Sequence, residues 1–166
     1  MKHKILFAFL ALATSFSLVS CGDDDKDNDP KPSKATYKDT GSELIITYPL
    51  TDDNDKFIGT CKETVSYKDE TIISYTILAS CNSAADAEKV YKEALEEKND
   101  PESDFVDVKK EGNNVIITCE LPDDIDIETL RIMLQIQVAE ENGDKELEKK
   151  LEDELNELIF GELRVD

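Results

Sequence analysis

Histidine and tryptophan are almost missing from this chain of 166 residues. The sequence has one histidine, His3, and no tryptophan. Without histidine beyond residue 3, imidazole metal ligands, Ser-His and Cys-His nucleophile pairs and imidazole acid–base catalysis are excluded from the rest of the chain. The lack of tryptophan weakens sugar recognition by stacking on large aromatic faces, although tyrosine and phenylalanine remain available.

Positive charge is scarce as well. The chain has 19 Lys and Arg residues against 39 Asp and Glu residues, a formal net charge of −20, and its only arginines are Arg131 and Arg164. Such an acidic chain without a basic run repels nucleic acid and anionic lipid. Nucleic-acid binding is therefore excluded, and any partner surface is expected to be basic or neutral.

Recognisable catalytic and metal-binding motifs are also missing. There is no G-x-S-x-G, P-loop or dinucleotide fingerprint, and with 39 acids carboxylate pairs arise by chance. Residues 25–29 begin like an EF-hand loop, but Pro30 stands where that loop needs glycine and Thr36 where it needs glutamate. The remaining acid clusters are expected to be solvated charge or helix caps, so no metal and no cofactor are predicted. Those clusters are Asp52, Asp53 and Asp55, and Asp124, Asp126 and Glu128.

Three of the four cysteines, Cys61, Cys81 and Cys119, fall in the part of the chain that is expected to fold. An odd number leaves at least one thiol without an internal partner, and the absence of a CxxC pair argues against zinc. All three lie on the inward parity of predicted strands, which favours core packing. Whether two of them form a disulfide stays open at this point.

The N-terminal segment has a basic start, a short apolar middle and small residues before a cysteine. Lys2, His3 and Lys4 precede the apolar run of residues 5–19, which Leu18-Val19-Ser20-Cys21 closes. This motif resembles the lipobox of bacterial lipoproteins. The resemblance implies that residues 1–20 are a signal peptide, that the chain is cut before Cys21, and that Cys21 carries the lipid.

An acidic tract, residues 22–29, follows the cysteine directly. It resembles the export signal of Bacteroidota-type surface lipoproteins, which implies an outer-membrane protein that faces the cell exterior. Residues 21–41 are accordingly predicted to be an acidic, proline-containing tether, and residues 42–166 a single globular domain. Contact with the membrane is expected through the lipid on Cys21, since two or three acyl chains make release very slow.

Hydrophobic periodicity predicts the order of elements in the globular part. Residues 43–50 alternate as a strand, residues 57–67 and 70–80 form a hairpin, a helix starts at Ser83 and ends before Pro101, and a second hairpin follows near residues 106–121. Ile73, Val106 and Val108 fall on the inward parity, while Ile72 and Leu78 fall on the polar face. An amphipathic helix is predicted for residues 144–160.

The stretch from residue 127 to 141 supports two interpretations. Its apolar residues alternate as in a strand, but Ile127, Leu130, Leu134 and Val138 also form a helical stripe among strong helix formers. We prefer the helix. If the stretch were a strand instead, it would be the sixth strand of the sheet. The order β-ββ-α-ββ-α-α predicts an α+β fold with two layers, an antiparallel sheet of about five strands with helices on one face. This domain resembles no particular family.

These observations favour a non-enzymatic binding or accessory module on the outer membrane, with a protein or nutrient partner. One alternative is a periplasm-facing accessory subunit of an envelope complex. The other is a histidine-free hydrolase, for which a Ser-Lys dyad would be needed.

Overall fold

A computed structural model describes residues 34–101, 103–121 and 125–161. Within these ranges, six strands form one antiparallel sheet in the order β1-β2-β3-β4-β6-β5, and three helices accompany it. The α+β class and the antiparallel sheet are thus confirmed, with one strand more than the five predicted. The strands are β1 Thr36–Asp39, β2 Glu43–Thr51, β3 Phe57–Lys68, β4 Thr71–Cys81, β5 Phe105–Glu111 and β6 Asn114–Cys119, and the helices are α1 Ala84–Lys98, α2 Ile127–Glu141 and α3 Lys145–Gly161.

The additional strand is β1, which lies in the segment that the sequence assigned to the tether. It pairs with β2 at the edge of the sheet, with Tyr37 opposite Ile46. Just before it, the backbone N–H of Ala35 donates to Asn142 Oδ1 at 2.9 Å, and Asn142 Nδ2 donates to the Ala35 carbonyl at 2.9 Å. These two hydrogen bonds fasten the start of β1 to the end of α2. Residues 35–39 thus take part in the fold, although they fall within the range 21–41 that the sequence assigned to the tether.

One face of the sheet is buried beneath α1 and α2. Alternate residues of each strand point into this core, and Leu44, Val65 and Val115 are completely buried there. Helix α1 packs over β4, β5 and β6, while α2 packs over β1 and β2. The Ser83 side chain caps α1 by accepting the Asp86 N–H, as the sequence predicted.

Helix α2 is buried on two of its faces. Leu130 and Leu134 belong to the core on the sheet, whereas Ile132 and Ile136 form a second cluster with α3, on the other side of the helix. Because both faces are apolar, the sequence of α2 alternates as a strand would. The prediction of a helix is confirmed. Since α3 packs on α2, it adds a partial third layer to the two that were predicted.

Two irregularities in strand pairing overturn the predicted orientation of three aliphatic residues. The register between β3 and β4 shifts beside Tyr67, so that Ile72 packs against the core and Ile73 is 65% exposed, the reverse of the prediction. A second shift between β5 and β6 leaves Val106 without a cross-strand partner and 51% exposed, while Val108 is buried as predicted. An extra residue in one strand of a pair reverses which side chains point inward and which point outward beyond that residue.

Candidate functional site

The lipidation site predicted at Cys21 lies outside the described residues, as do the lipobox and the acidic tract of residues 22–29. Their assignment therefore stays a prediction from the sequence. Within the described ranges, no helix is long and apolar enough to cross a membrane.

The acid clusters have local roles where the structure describes them, while Asp124 lies outside the described residues. The Asp52 carboxylate accepts hydrogen bonds from the backbone N–H groups of Asn54 at 2.9 Å and Lys56 at 3.1 Å, and these bonds hold the pKa of Asp52 below its usual value. Asp126 caps α2 by accepting the Thr129 N–H at 2.7 Å. Across the residues described, no group of three or more His, Cys, Asp or Glu side chains is arranged to hold a metal ion.

The three thiols of the body are buried and free, so the prediction of core packing is confirmed and the open question of a disulfide is answered. Burial, with a smaller effect of the neighbouring Glu63 carboxylate, raises the pKa of Cys61 far above its usual range and that of Cys119 to about 12. Burial also raises the pKa of Cys81. Because the thiolate is the reactive form, these thiols are poor nucleophiles in the folded protein.

A buried carboxylate, Glu63, lies near the middle of the helix-covered face of β3. Its side chain is on the core side between Cys61 and Val65, and the residue is only 4% exposed. Glu63 Oε1 accepts hydrogen bonds from Tyr48 Oη at 2.7 Å and from Gln137 Nε2 at 3.0 Å. Glu63 Oε2 accepts a hydrogen bond from Tyr75 Oη.

This group of four residues, which we call the Glu63 network, joins three strands to one helix. Tyr48 is on β2, Glu63 on β3, Tyr75 on β4 and Gln137 on α2. Burial raises the pKa of both tyrosines well above the usual 10.0, and the Glu63 carboxylate adds to each shift. Both hydroxyls therefore keep their protons and serve as donors. A carboxylate can be buried when its oxygens accept hydrogen bonds, and both oxygens of Glu63 do so. Because one of the donors, Gln137, is on α2, the network helps to position α2 on the sheet.

The sequence contains one signal for this network. Glu63 falls on the inward parity of β3, between two residues that were predicted to be buried. A charged residue at such a position needs partners, because burying an unpaired charge costs several kcal/mol (about 3–5 when a partner is lost). Its partners are Tyr48, Tyr75 and Gln137, and only the tertiary structure brings all three to the carboxylate.

A second polar cluster lies at the opposite end of β1 from Ala35. The Asp39 carboxylate accepts hydrogen bonds from the Gly41 N–H at 2.8 Å, from Tyr67 Oη at 2.7 Å and from Arg131 Nε at 2.9 Å. Arg131 also pairs with Glu128. The hydrogen bond from Gly41, followed by those from Tyr67 and Arg131, lowers the pKa of Asp39. The cluster attaches the turn end of the β1–β2 hairpin to α2 through the hydrogen bond between Arg131 and Asp39.

The face of the sheet that points away from the helices is uncovered by any described element. We call the outward residues of its four inner strands the open face, and they are Glu43, Ile45, Thr47, Pro49, Thr60, Lys62, Thr64, Ser66, Lys68, Thr71, Ser74, Thr76, Leu78, Ser80, Asn114, Ile116 and Thr118. Only Glu43, Lys62 and Lys68 among these are charged, although 35% of the whole chain is charged. The open face is therefore a nearly neutral surface on a strongly acidic protein.

Comparison of the chain with protein-family profiles, with curated proteins and with solved structures found no match. The function is therefore inferred from the sequence motifs and from the geometry described above.

Proposed function

We propose that this protein is an outer-membrane lipoprotein that faces the cell exterior and acts as a non-enzymatic binding or accessory module. The observation that carries the proposal is the lipobox, Leu18-Val19-Ser20-Cys21, with the acidic residues 22–29 directly behind it. Lipid on Cys21 would hold the body at the membrane without a spanning helix, since each buried methylene contributes about 0.8 kcal/mol.

The position of Ala35 supports a tethered arrangement. Fourteen residues, 21–34, separate the body from the start of the mature chain, which allows a reach of at most about 50 Å. The hydrogen bonds between Ala35 and Asn142 would transmit this attachment to the turn between α2 and α3. The end of the body that carries Asp39 and the start of α2 would then face away from the membrane.

The chemistry of the buried groups supports a binding role over a catalytic one. The carboxylate of Glu63 is held by its three donors inside the core, and the thiols of Cys61 and Cys119 have raised pKa values. General acids, bases and nucleophiles must reach their substrate, and these groups lie beneath the helices. The open face, in contrast, is an accessible surface that the protein's own negative charge does not dominate.

The lipid anchor is tested by mass spectrometry of the N-terminal peptide from protein extracted with the envelope. We expect a peptide that begins at Cys21 and carries the mass of two or three acyl chains. The variant Cys21→Ala should be neither cut before residue 21 nor acylated. An N-terminus that is uncut and unmodified in the native protein would overturn the proposal.

The exterior location is tested by protease treatment of intact cells. We expect the body to be digested without cell lysis. Substituting Asp24→Asn and Asp25→Asn together should reduce this digestion, while the matched pair Asp53→Asn and Asp55→Asn, with the same change of charge in the body, should leave it unchanged. Full protection of the native protein would instead favour the periplasm-facing accessory subunit.

The binding role is tested by capture from the native envelope with the lipidated protein, alongside a screen of the purified chain against glycans and esters. A partner retained by the body and no turnover are expected. Hydrolytic activity that co-purifies with the protein would contradict a non-enzymatic role.

A further inference from the structure

We infer that the open face is a homodimer interface, in which the sheets of two copies pack face to face. The inference concerns the body alone and does not depend on the lipid anchor.

The two central rows of the open face consist mainly of aliphatic residues and threonine. One row is formed by Thr47, Lys62, Leu78 and Ile116, and the next by Ile45, Thr64, Thr76 and Thr118. Aliphatic side chains and threonine methyl groups therefore occupy most of the centre, where side chains of neighbouring strands stand next to one another. Desolvating such a surface costs little, because it carries a single charge in these rows, Lys62.

The size of the surface is the second argument. The uncovered side of the whole sheet, with the two edge strands included, has six strands at a spacing of ~4.8 Å and about six residues of ~3.4 Å along each strand, which gives an area on the order of 600 Å². A stable interface of standard size buries about 800 Å² on each partner, so one sheet face, with the exposed Ile73 and Val106 at its end, approaches the required area. Sheets that pack in this way lie ~10 Å apart with their strands within about 30° of one another.

Charge complementarity between the two edge strands favours a second copy as the occupant. Two molecules with a formal net charge of −20 repel each other, so they can associate only through a nearly neutral face such as this one. A two-fold axis parallel to the strands, between β3 and β4, would set Lys38 on β1 opposite the partner's Asp107 on β5. The same axis would set Lys62 over the partner's Leu78, where its methylenes can pack. The central rows then contain no pair of like charges.

The test is sedimentation velocity on the chain that begins at residue 21, with Cys21→Ser to prevent side reactions. The two hydrophobic clusters are formed by residues 37–158, so this chain keeps them. We expect dimers at about 100 µM protein, with a dissociation constant on the order of 10 µM. Because screening weakens the repulsion between the two acidic bodies, dimers should become more stable as NaCl is raised from ~0.02 to ~0.5 M.

Two variants with the same chemical change separate the open face from the rest of the surface. Leu78→Glu places a charge in the centre of the open face and should weaken dimerisation at least ~10-fold. Leu147→Glu makes the same change at a 41% exposed position on α3 and should leave the dimer intact. Circular dichroism melts of both variants verify that the fold is kept.

The inference is overturned if the native chain stays monomeric at ~200 µM in ~0.5 M NaCl, or if Leu78→Glu dimerises as the native chain does. A loss of dimers in Leu147→Glu alone would also overturn it, because the interface would then lie on α3. A partner other than a second copy would leave the native chain monomeric.

Discussion

Replacing the buried carboxylate of Glu63 tests whether this residue organises the polar network in the core. Glu63→Leu keeps the side chain near its original volume but removes the acceptor of three hydrogen bonds. Tyr75 is 3% exposed, so its hydroxyl would be left without this acceptor in the core. Tyr48 and Gln137 are half-buried as whole residues, so we expect a smaller cost for the loss of the bond at each of them.

The expected cost follows from these exposures. Loss of the acceptor for a fully buried donor costs about 1–3 kcal/mol, and we assign about 0.5–1 kcal/mol to each half-buried donor. The total is a decrease of about 2–5 kcal/mol in the free energy of unfolding, a large part of the 5–15 kcal/mol typical of a domain. Removing the desolvation cost of the carboxylate offsets part of this loss, which favours the lower end of the range.

Urea unfolding at low micromolar protein, followed by circular dichroism, measures the change as a shift in midpoint at constant slope. Lys62→Leu is the matched control, since this neighbour is exposed on the other face of β3, and it should change stability by less than about 0.5 kcal/mol. Combining Glu63→Leu with Tyr48→Phe and Tyr75→Phe removes donors together with the acceptor and should recover part of the loss. A neutral or stabilising effect of Glu63→Leu alone would refute the assignment of Glu63 as the organising acceptor.

Three further predictions concern packing, the start of the body and pH. Gly59→Ala should destabilise the protein by at least about 3 kcal/mol, because a Cβ would lie 2.2 Å from a carbonyl oxygen of β4. Gly112→Ala, at a turn with φ +62 and open space, should cost only about 1 kcal/mol in the same urea titration, and equal losses would contradict this. Asn142→Ala removes two hydrogen bonds to the start of β1 and should speed amide exchange in that strand more than in the inner strands. Finally, the melting temperature should rise as pH falls from 7 to about 5. Burial raises the pKa of Glu140 and Glu141, so the folded state binds protons more tightly than the unfolded chain and gains stability as pH falls; a decrease over this range would contradict it.

The sequence predicted the elements whose stabilising contacts are local or lie on one face. The hairpin of β3 and β4 alternates over most of its length, and Ser83 marks the start of α1 through a bond to a residue three positions away. Helix α3 packs on α2 with one apolar face, so its periodicity was unambiguous.

The predictions failed or stayed ambiguous where the environment of a residue depends on distant parts of the chain. Helix α2 has the apolar pattern of a strand because it is covered by the sheet on one side and by α3 on the other. The exposure of Ile73 and Val106 follows from shifts in strand pairing, which alternation within one strand does not encode.

The sequence by itself determined the charge of this protein, the exclusion of histidine chemistry from its body and the lipobox that predicts its anchor, because these depend only on residue type and order. Tertiary structure alone decided that Ala35 is fastened to Asn142 and that Glu63 has three donors. Each includes a pair of residues more than 70 positions apart, Ala35 with Asn142 and Glu63 with Gln137, and only the packing of α2 on the sheet brings these pairs within hydrogen-bonding distance.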